Sequence, residues 1–169
     1  MTRWLLGVLL GAAVVHLAAV AALPRLAMRT AMNRMQLAPV NAFAHSPLAT
    51  EKARAIVRPS PDLAYSILVF DVNERALAVS VPLTPPYTSL SGFAVNTDNF
   101  FAISDLTAGA GEISVLVVGP NTPRDGLAGA RVIESPSDRG ILLVRRVVPS
   151  AAAFAEIDAV RRRASAELR

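Results

Sequence analysis

The chain has 169 residues, no cysteine, two histidines and a net charge of +4. Less an apolar amino-terminal stretch, that length suffices for one ordinary domain that buries its own core, and the lack of cysteine excludes a disulfide framework, a thiolate nucleophile and a cysteine zinc site. Residues 1–58 hold seven basic and one acidic residue, residues 59–149 six and nine, and residues 150–169 four and three. An acidic body without a basic, aromatic-interleaved stripe argues against nucleic acid as a partner, whereas anionic lipid headgroups attract the basic amino-terminal part.

After a flank of residues 1–3, Trp4–Leu23 runs for twenty residues without a formal charge. At about 1.5 Å per residue such a helix covers the roughly 30 Å of a bilayer's hydrocarbon core, and the stretch reads as one transmembrane helix. The rival reading is a cleaved signal peptide ending at Ala19-Val20-Ala21, although the run exceeds the ~7–15 residues usual for a signal core. Gly7 and Gly11 form a G-x-x-x-G pair that lets two helices approach closely and would support a homodimer. His16 falls on the opposite helix face, where an imidazole either meets a partner helix or bonds its own backbone.

Residues 24–37 keep a helical period, with Met28, Met32 and Met35 on one face and Arg25, Arg29, Asn33 and Gln36 on another. This amphipathic neck either lies on headgroups or packs on the domain. Positive-inside counting of Arg3 against Arg25, Arg29 and Arg34 slightly favours a cytoplasmic domain.

Residues 38–61 read as a proline-containing linker. Residues 62–149 then carry short runs rich in Val, Ile and Phe at 64–71, 76–81, 88–95, 100–104, 114–119, 131–134 and 140–148, separated by turn residues such as Asn73-Glu74, Asn96–Asn99 and Gly119–Pro123. Seven strands with no helix between them predict a mainly β domain, an antiparallel sandwich or jelly-roll-like sheet. Ser150 is placed to cap a carboxy-terminal helix over residues 150–169, with Phe154, Ile157, Val160, Ala164 and Leu168 on one side and Arg161–Arg163 as a solvated end.

The segment Arg58-Pro59-Ser60-Pro61-Asp62-Leu63-Ala64-Tyr65-Ser66, followed by Phe70-Asp71, Val81-Pro82, Tyr87, Thr97-Asp98-Asn99-Phe100-Phe101, Val118-Gly119-Pro120, Ser135-Pro136 and Gly140–Arg145, resembles the bacterial domain-of-unknown-function family 1254 in its short, single-anchor members. The resemblance implies a largely β domain at the bacterial envelope. It further implies that the companion family 1214 domain, joined to this one in longer relatives and absent here, is supplied by a separate protein. An inner-membrane location with a periplasmic domain follows from that envelope role, with a cytoplasmic domain as the alternative.

Little catalytic equipment is present. Only His45 lies outside the apolar stretch, so neither a Ser-His-Asp triad nor a histidine-rich metal site is expected. Asp98, Asn99 and Asp105 lack a calcium-loop pattern, and no dinucleotide or phosphate-loop motif occurs. No metal or cofactor is expected. The candidate ligand-binding residues are polar groups at strand ends, Asp62, Tyr65, Tyr87, Asp98, Asn99 and Arg145. Three readings follow: a domain that binds a partner protein, an enzyme with a carboxylate-based site around Asp62, Tyr65 and Asp98, or a small-ligand or lipid carrier within the sandwich. Turn fixing and packing are the competing roles for the same side chains.

Overall fold

The computed structural model describes residues 2–50, 59–109, 111–124, 127 and 129–169. Residues 51–58 of the expected linker lie outside the described residues.

The apolar stretch and the neck form one uninterrupted helix, α1 (Thr2–Met35), which passes through Pro24. Proline there removes one backbone N–H from the helical ladder, and Arg25 folds back beside it, donating from Nη1 to the Ala21 carbonyl at 2.6 Å. The large apolar residues from Trp4 to Leu23 are exposed, and the first buried side chain of the helix is Met28, beyond Pro24. Met28 and Met32 are buried against Ile67, Val69 and Ile141, with Ala31, Met35, Phe93, Val95 and Leu143 around them. The methionine face of the neck is therefore covered by protein, and the neck is the last part of α1 instead of a separate helix.

Nine strands follow among the described residues. They are β1 (Ala44–His45), β2 (Leu63–Asp71), β3 (Leu77–Pro82), β4 (Thr88–Ala94), β5 (Asn99–Ser104), β6 (Glu112–Val118), β7 (Val132–Glu134), β8 (Arg139–Val147) and β9 (Ser165–Leu168). They make two sheets, one in the order β1-β2-β8-β4-β5 and the other in the order β7-β6-β3-β9. All pairings are antiparallel except β6 with β7. Because side chains alternate across a strand, Leu68, Phe70, Leu90, Leu142 and Val144 of the first sheet meet Leu77, Val79, Val81, Ile113, Val115 and Val117 of the second, forming the principal core. The expected sandwich and its seven main strands are present.

Two elements differ from expectation. The linker contributes β1, with Ala44 opposite Ile67 and His45 opposite Ser66. Just before it, Asn41 in left-handed backbone (φ 64°) brackets Asp71, accepting the Asp71 N–H and donating to its carbonyl, both at 2.9 Å. At the other terminus, the helix expected through Leu168 ends at Arg161: α2 spans Phe154–Arg161 after a short 3-10 turn whose Ser150 hydroxyl accepts the Ala153 N–H. The last residues alternate, Ala164, Ala166 and Leu168 turning inward while Ser165 and Glu167 face out. That period-two pattern adds β9 to the free edge of β3, with Leu77 opposite Leu168 and Ser80 opposite Ser165, so the pairing of a sheet edge prevails over helical continuation.

Gly140 sits where β8 passes under Phe70 and Phe93, and a Cβ there would collide with the Phe93 carbonyl oxygen and the Phe70 ring. Replacing Gly140 with Ala is expected to cost about 1–3 kcal/mol through overpacking. Met32→Ala is expected to cost about 2 kcal/mol by emptying the contact between α1 and the sheet. Urea unfolding of the detergent-solubilised chain measures both.

Candidate functional site

The ladder of β2, β8 and β4 decides which predicted residues can meet. Leu63 lies opposite Val147 and Thr88 opposite Arg146, so the starts of β2 and β4 share one end of the sheet with the end of β8. There the Asp62 carbonyl accepts the Val148 N–H at 2.8 Å and the Tyr87 carbonyl accepts the Val147 N–H at 3.1 Å. Tyr65, Arg145 and Ser89 stand directly opposite one another across three strands. The Tyr65 hydroxyl accepts the Ser60 N–H at 3.0 Å, and Arg145 Nη2 donates to Ser91 Oγ at 3.3 Å. Asp62, Tyr65, Tyr87 and Arg145 are thus brought to one end.

Asp98 and Asn99 are not. They form the turn of the β4–β5 hairpin, where the Asp98 carbonyl accepts the Ala94 N–H and Ala94 faces Gly140 at the start of β8. Six strand residues, about 20 Å, separate that end from the row of Arg146. Asp98 accepts from Asn96 Nδ2 at 2.5 Å, and Asn99 donates to the Gly92 and Phe101 carbonyls at 3.0 and 3.1 Å; both side chains hold the turn. Asp62, Tyr65 and Asp98 therefore do not converge on one pocket, because an antiparallel hairpin carries its turn to the far end of the sheet. Gly7 and Gly11 lie on the exposed part of α1, where a methyl group added at either would meet nothing within 4 Å, and His16 is exposed on the same segment. Among the described residues no group of histidines and carboxylates has the arrangement of a metal site.

The same end of the sandwich holds a second set of polar groups. Strand alternation sends Arg145 outward and Arg146 inward, where Arg146 is 0% exposed between Ala64 and Thr88. Its Nη2 donates to the Pro82 carbonyl at 2.9 Å, while Nε and Nη1 have no partner among the described residues. Burial, and then the neighbouring Arg161, pull its pKa down to about 10, which leaves it cationic at neutral pH. Beside it, Arg161 of α2 is 1% exposed. It donates to Asp158 Oδ1 from Nε at 2.7 Å and to the Tyr65 carbonyl from Nη1 at 2.9 Å, and its guanidinium lies 5.2 Å from the centre of the Phe154 ring. Arg161 thereby clamps α2 onto β2, and only Arg162 and Arg163 form the solvated end expected for the whole triplet.

Asp158 also accepts from Arg162 at 2.7 Å, and hydrogen bonds from Arg162 and Arg161 hold its carboxyl below the usual range. His45 Nδ1 is 2.8 Å from Ser66 Oγ. Ser66 is wholly buried, and the contact ties β1 to β2. Burial first, then the positive charges of Arg161 and Arg162, keep the His45 pKa below the ordinary imidazole value.

Arg146, Arg161 and Asp158 escaped selection from the sequence, though one signal was available: two adjacent arginines inside the apolar run 140–148 must face opposite sides of a strand, so one of them is buried. Two surface hollows lie elsewhere. One of about 860 Å³ is on the outer face of the four-stranded sheet over Ala78, Ser80, Ser114 and Ser165, and one of about 670 Å³ is beside Asn41, Asp71, Asn73 and Arg139. Neither is lined by Asp62, Tyr65, Tyr87, Asp98, Asn99 or Arg145.

Because His45 binds its proton less readily in the folded state than in the unfolded state, stability is expected to fall as pH drops below about 6.5. The loss should level off below the folded-state pKa, and His45→Gln should flatten this part of a stability–pH profile taken by urea unfolding. Asp158→Asn leaves Arg161 buried without a counter-charge and is expected to cost about 3 kcal/mol in the same measurement.

Comparison with solved structures places the fold. The chain is similar to the VPA0106 protein of Vibrio parahaemolyticus, with a TM-score of 0.65 and 16% identity over 89% of this chain and 35% of that one. An uncharacterised protein from Burkholderia cenocepacia matches with a TM-score of 0.48 and 20% identity over 83% of this chain and 38% of that one. The chain thus spans little more than a third of the length of each. No curated protein matches the sequence. The family model described as "Protein of unknown function (DUF1254)" matches residues 40–167, from before β1 into β9, and the chain belongs to that family.

Proposed function

We propose that this protein is a single-pass anchored binding module of the bacterial inner membrane, with its sandwich on the periplasmic side and a partner protein carrying the companion family 1214 domain as its ligand. The observation that carries the reading is the division of α1. Its first part presents exposed apolar side chains from Trp4 to Leu23, and its last turns are buried in the outer face of the first sheet. A helix of that kind suits a retained anchor, because the segment beyond Pro24 is part of the domain's own packing and rigidly joins the domain to whatever holds the apolar part.

Partner binding is favoured over the alternatives by the sandwich itself. The apolar core offers a lipid or other apolar ligand little space: among the described residues thirteen buried side chains fill it, and both hollows lie outside it. The dispersal of Asp62 and Asp98 to opposite ends of the sheet weighs against a carboxylate-based enzyme.

Isolation of the intact tagged protein from native membranes in mild detergent, followed by mass spectrometry, tests this reading. The expected result is stoichiometric recovery of a protein carrying the companion domain, with residues 1–35 retained. Recovery of the chain alone as a monomer, or of a homodimer through Gly7 and Gly11 with no second protein, would overturn the partner assignment. Recovery of a soluble chain beginning after Ala21 would overturn the anchor.

A further inference from the structure

The inward-facing guanidinium of Arg146 is the least compensated charge among the described residues. It is fully buried, it makes a single hydrogen bond to a carbonyl, and no carboxylate of the described residues forms an ion pair with it. A buried charge without a partner carries a desolvation penalty of several kcal/mol, and the neighbouring Arg161 adds repulsion. Arg161 has Asp158 as counter-charge, but Asp158 is already shared with Arg162. The surrounding hydroxyls are engaged with one another: Thr88 Oγ1 donates to the Thr84 carbonyl at 3.1 Å and accepts the Thr84 N–H at 3.0 Å. Nothing within the row Ala64, Arg146, Thr88 neutralises the arginine.

We infer that Arg146 is the recognition group of an internal site for a small oxyanion, bound between the sheets at the end where β2 starts and β8 finishes. The donors left over, Nε and Nη1, match an oxyanion, for which guanidinium forms strong charge-assisted bonds. Both atoms are sealed from solvent in the closed domain, so the anion is small and enters as the cover of this end parts. The groups placed against Arg146 at this end are the Pro82 carbonyl, Ala64 and Thr88 of the neighbouring strands, and Arg161 of α2. One internal group competes for the same role. Asp105 has a buried Oδ1 without a partner, and its N–H donates to the Thr88 carbonyl at 2.9 Å, which places it beside β4 at the far side of Thr88 from Arg146.

The test uses the full chain in detergent, titrated with sodium formate, acetate or phosphate against sodium chloride at matched ionic strength. Thermal unfolding and the NMR resonance of the Arg146 Nε–H are followed in the wild type, Arg146→Met and Asp105→Asn. The wild type and Asp105→Asn are expected to show a saturable rise in midpoint and a saturable shift of the Nε–H signal. Arg146→Met is expected to be at least as stable without anion, since it removes an uncompensated charge, and to lose the response by at least about tenfold in apparent affinity. Formate and acetate acting without phosphate would identify the ligand as a carboxylate, and phosphate acting alone as an inorganic oxyanion; either supports the site.

Equal responses in wild type and Arg146→Met, or no saturable shift of the Nε–H signal in the wild type, would overturn it. So would strong energetic coupling between Arg146 and Asp105 in a double-mutant cycle together with an unresponsive wild type, because the counter-charge would then be internal. If Arg146→Met fails to fold, the wild-type Nε–H titration alone decides.

Discussion

Nine consecutive residue pairs tie β2 to β8, from Leu63 opposite Val147 to Asp71 opposite Arg139, and the rest of the domain depends on that register. It sorts the side chains of the first sheet into two sets. Leu68, Phe70, Leu142 and Val144 face the second sheet, while Ile67, Val69 and Ile141 face α1. A slip of one residue would exchange these sets on one strand, pull the apolar surface away from Met28 and Met32, and bring Arg145 inward in place of Arg146. Both faces of these two central strands are buried, which is why their apolar runs lack the simple alternation of a half-exposed sheet.

The same register creates the domain's principal electrostatic stress. A strand that is buried on both sides and carries two adjacent arginines has to desolvate both in part. Arg145 reaches Ser91 at the border of the outer face, while Arg146 is enclosed beside Thr88. α2 adds Arg161 to this end, and its bonds to Asp158 and to the Tyr65 carbonyl convert a second buried cation into the tie between helix and sheet. The end of the sandwich where these groups gather is therefore positively charged inside, although residues 59–149 are net acidic. The carboxylates of that acidic excess sit chiefly at turns and on exposed faces, as Asp98, Glu112, Glu134 and Asp138 do.

The two outer faces of the sandwich have different fates. That of the first sheet is covered by the last turns of α1, through Met28 and Met32. That of the second sheet is floored by Ala78, Ser80, Ser114 and Ser165 and is left as a shallow hollow. With the end of α1 on one face, the other outer face of the sandwich is left to solvent, which is compatible with the proposed binding role.

Much of this architecture was legible locally. The strands appear because Val, Ile and Phe recur at strand length between turn residues, and the apolar helix because Trp4–Leu23 has no formal charge; both are short-range properties that a chain displays wherever it folds. The candidate site was less legible. Asp98 and Asn99 were identifiable as polar turn residues, but their distance from Asp62 is a property of strand order, which no local pattern encodes. His45 looked like part of a linker because two residues of strand carry no periodicity, and Ser165–Leu168 looked helical because helix propensity prevails until a free sheet edge competes for the same backbone groups. The sequence by itself determined the apolar amino-terminal helix, the seven main strands and the scarcity of histidine and cysteine. Only the tertiary structure decided that the methionine face is covered, that Arg146 and Arg161 are buried and that the expected site residues divide between two ends of a sheet, because each of these outcomes follows from pairing between strands and helices far apart in the chain.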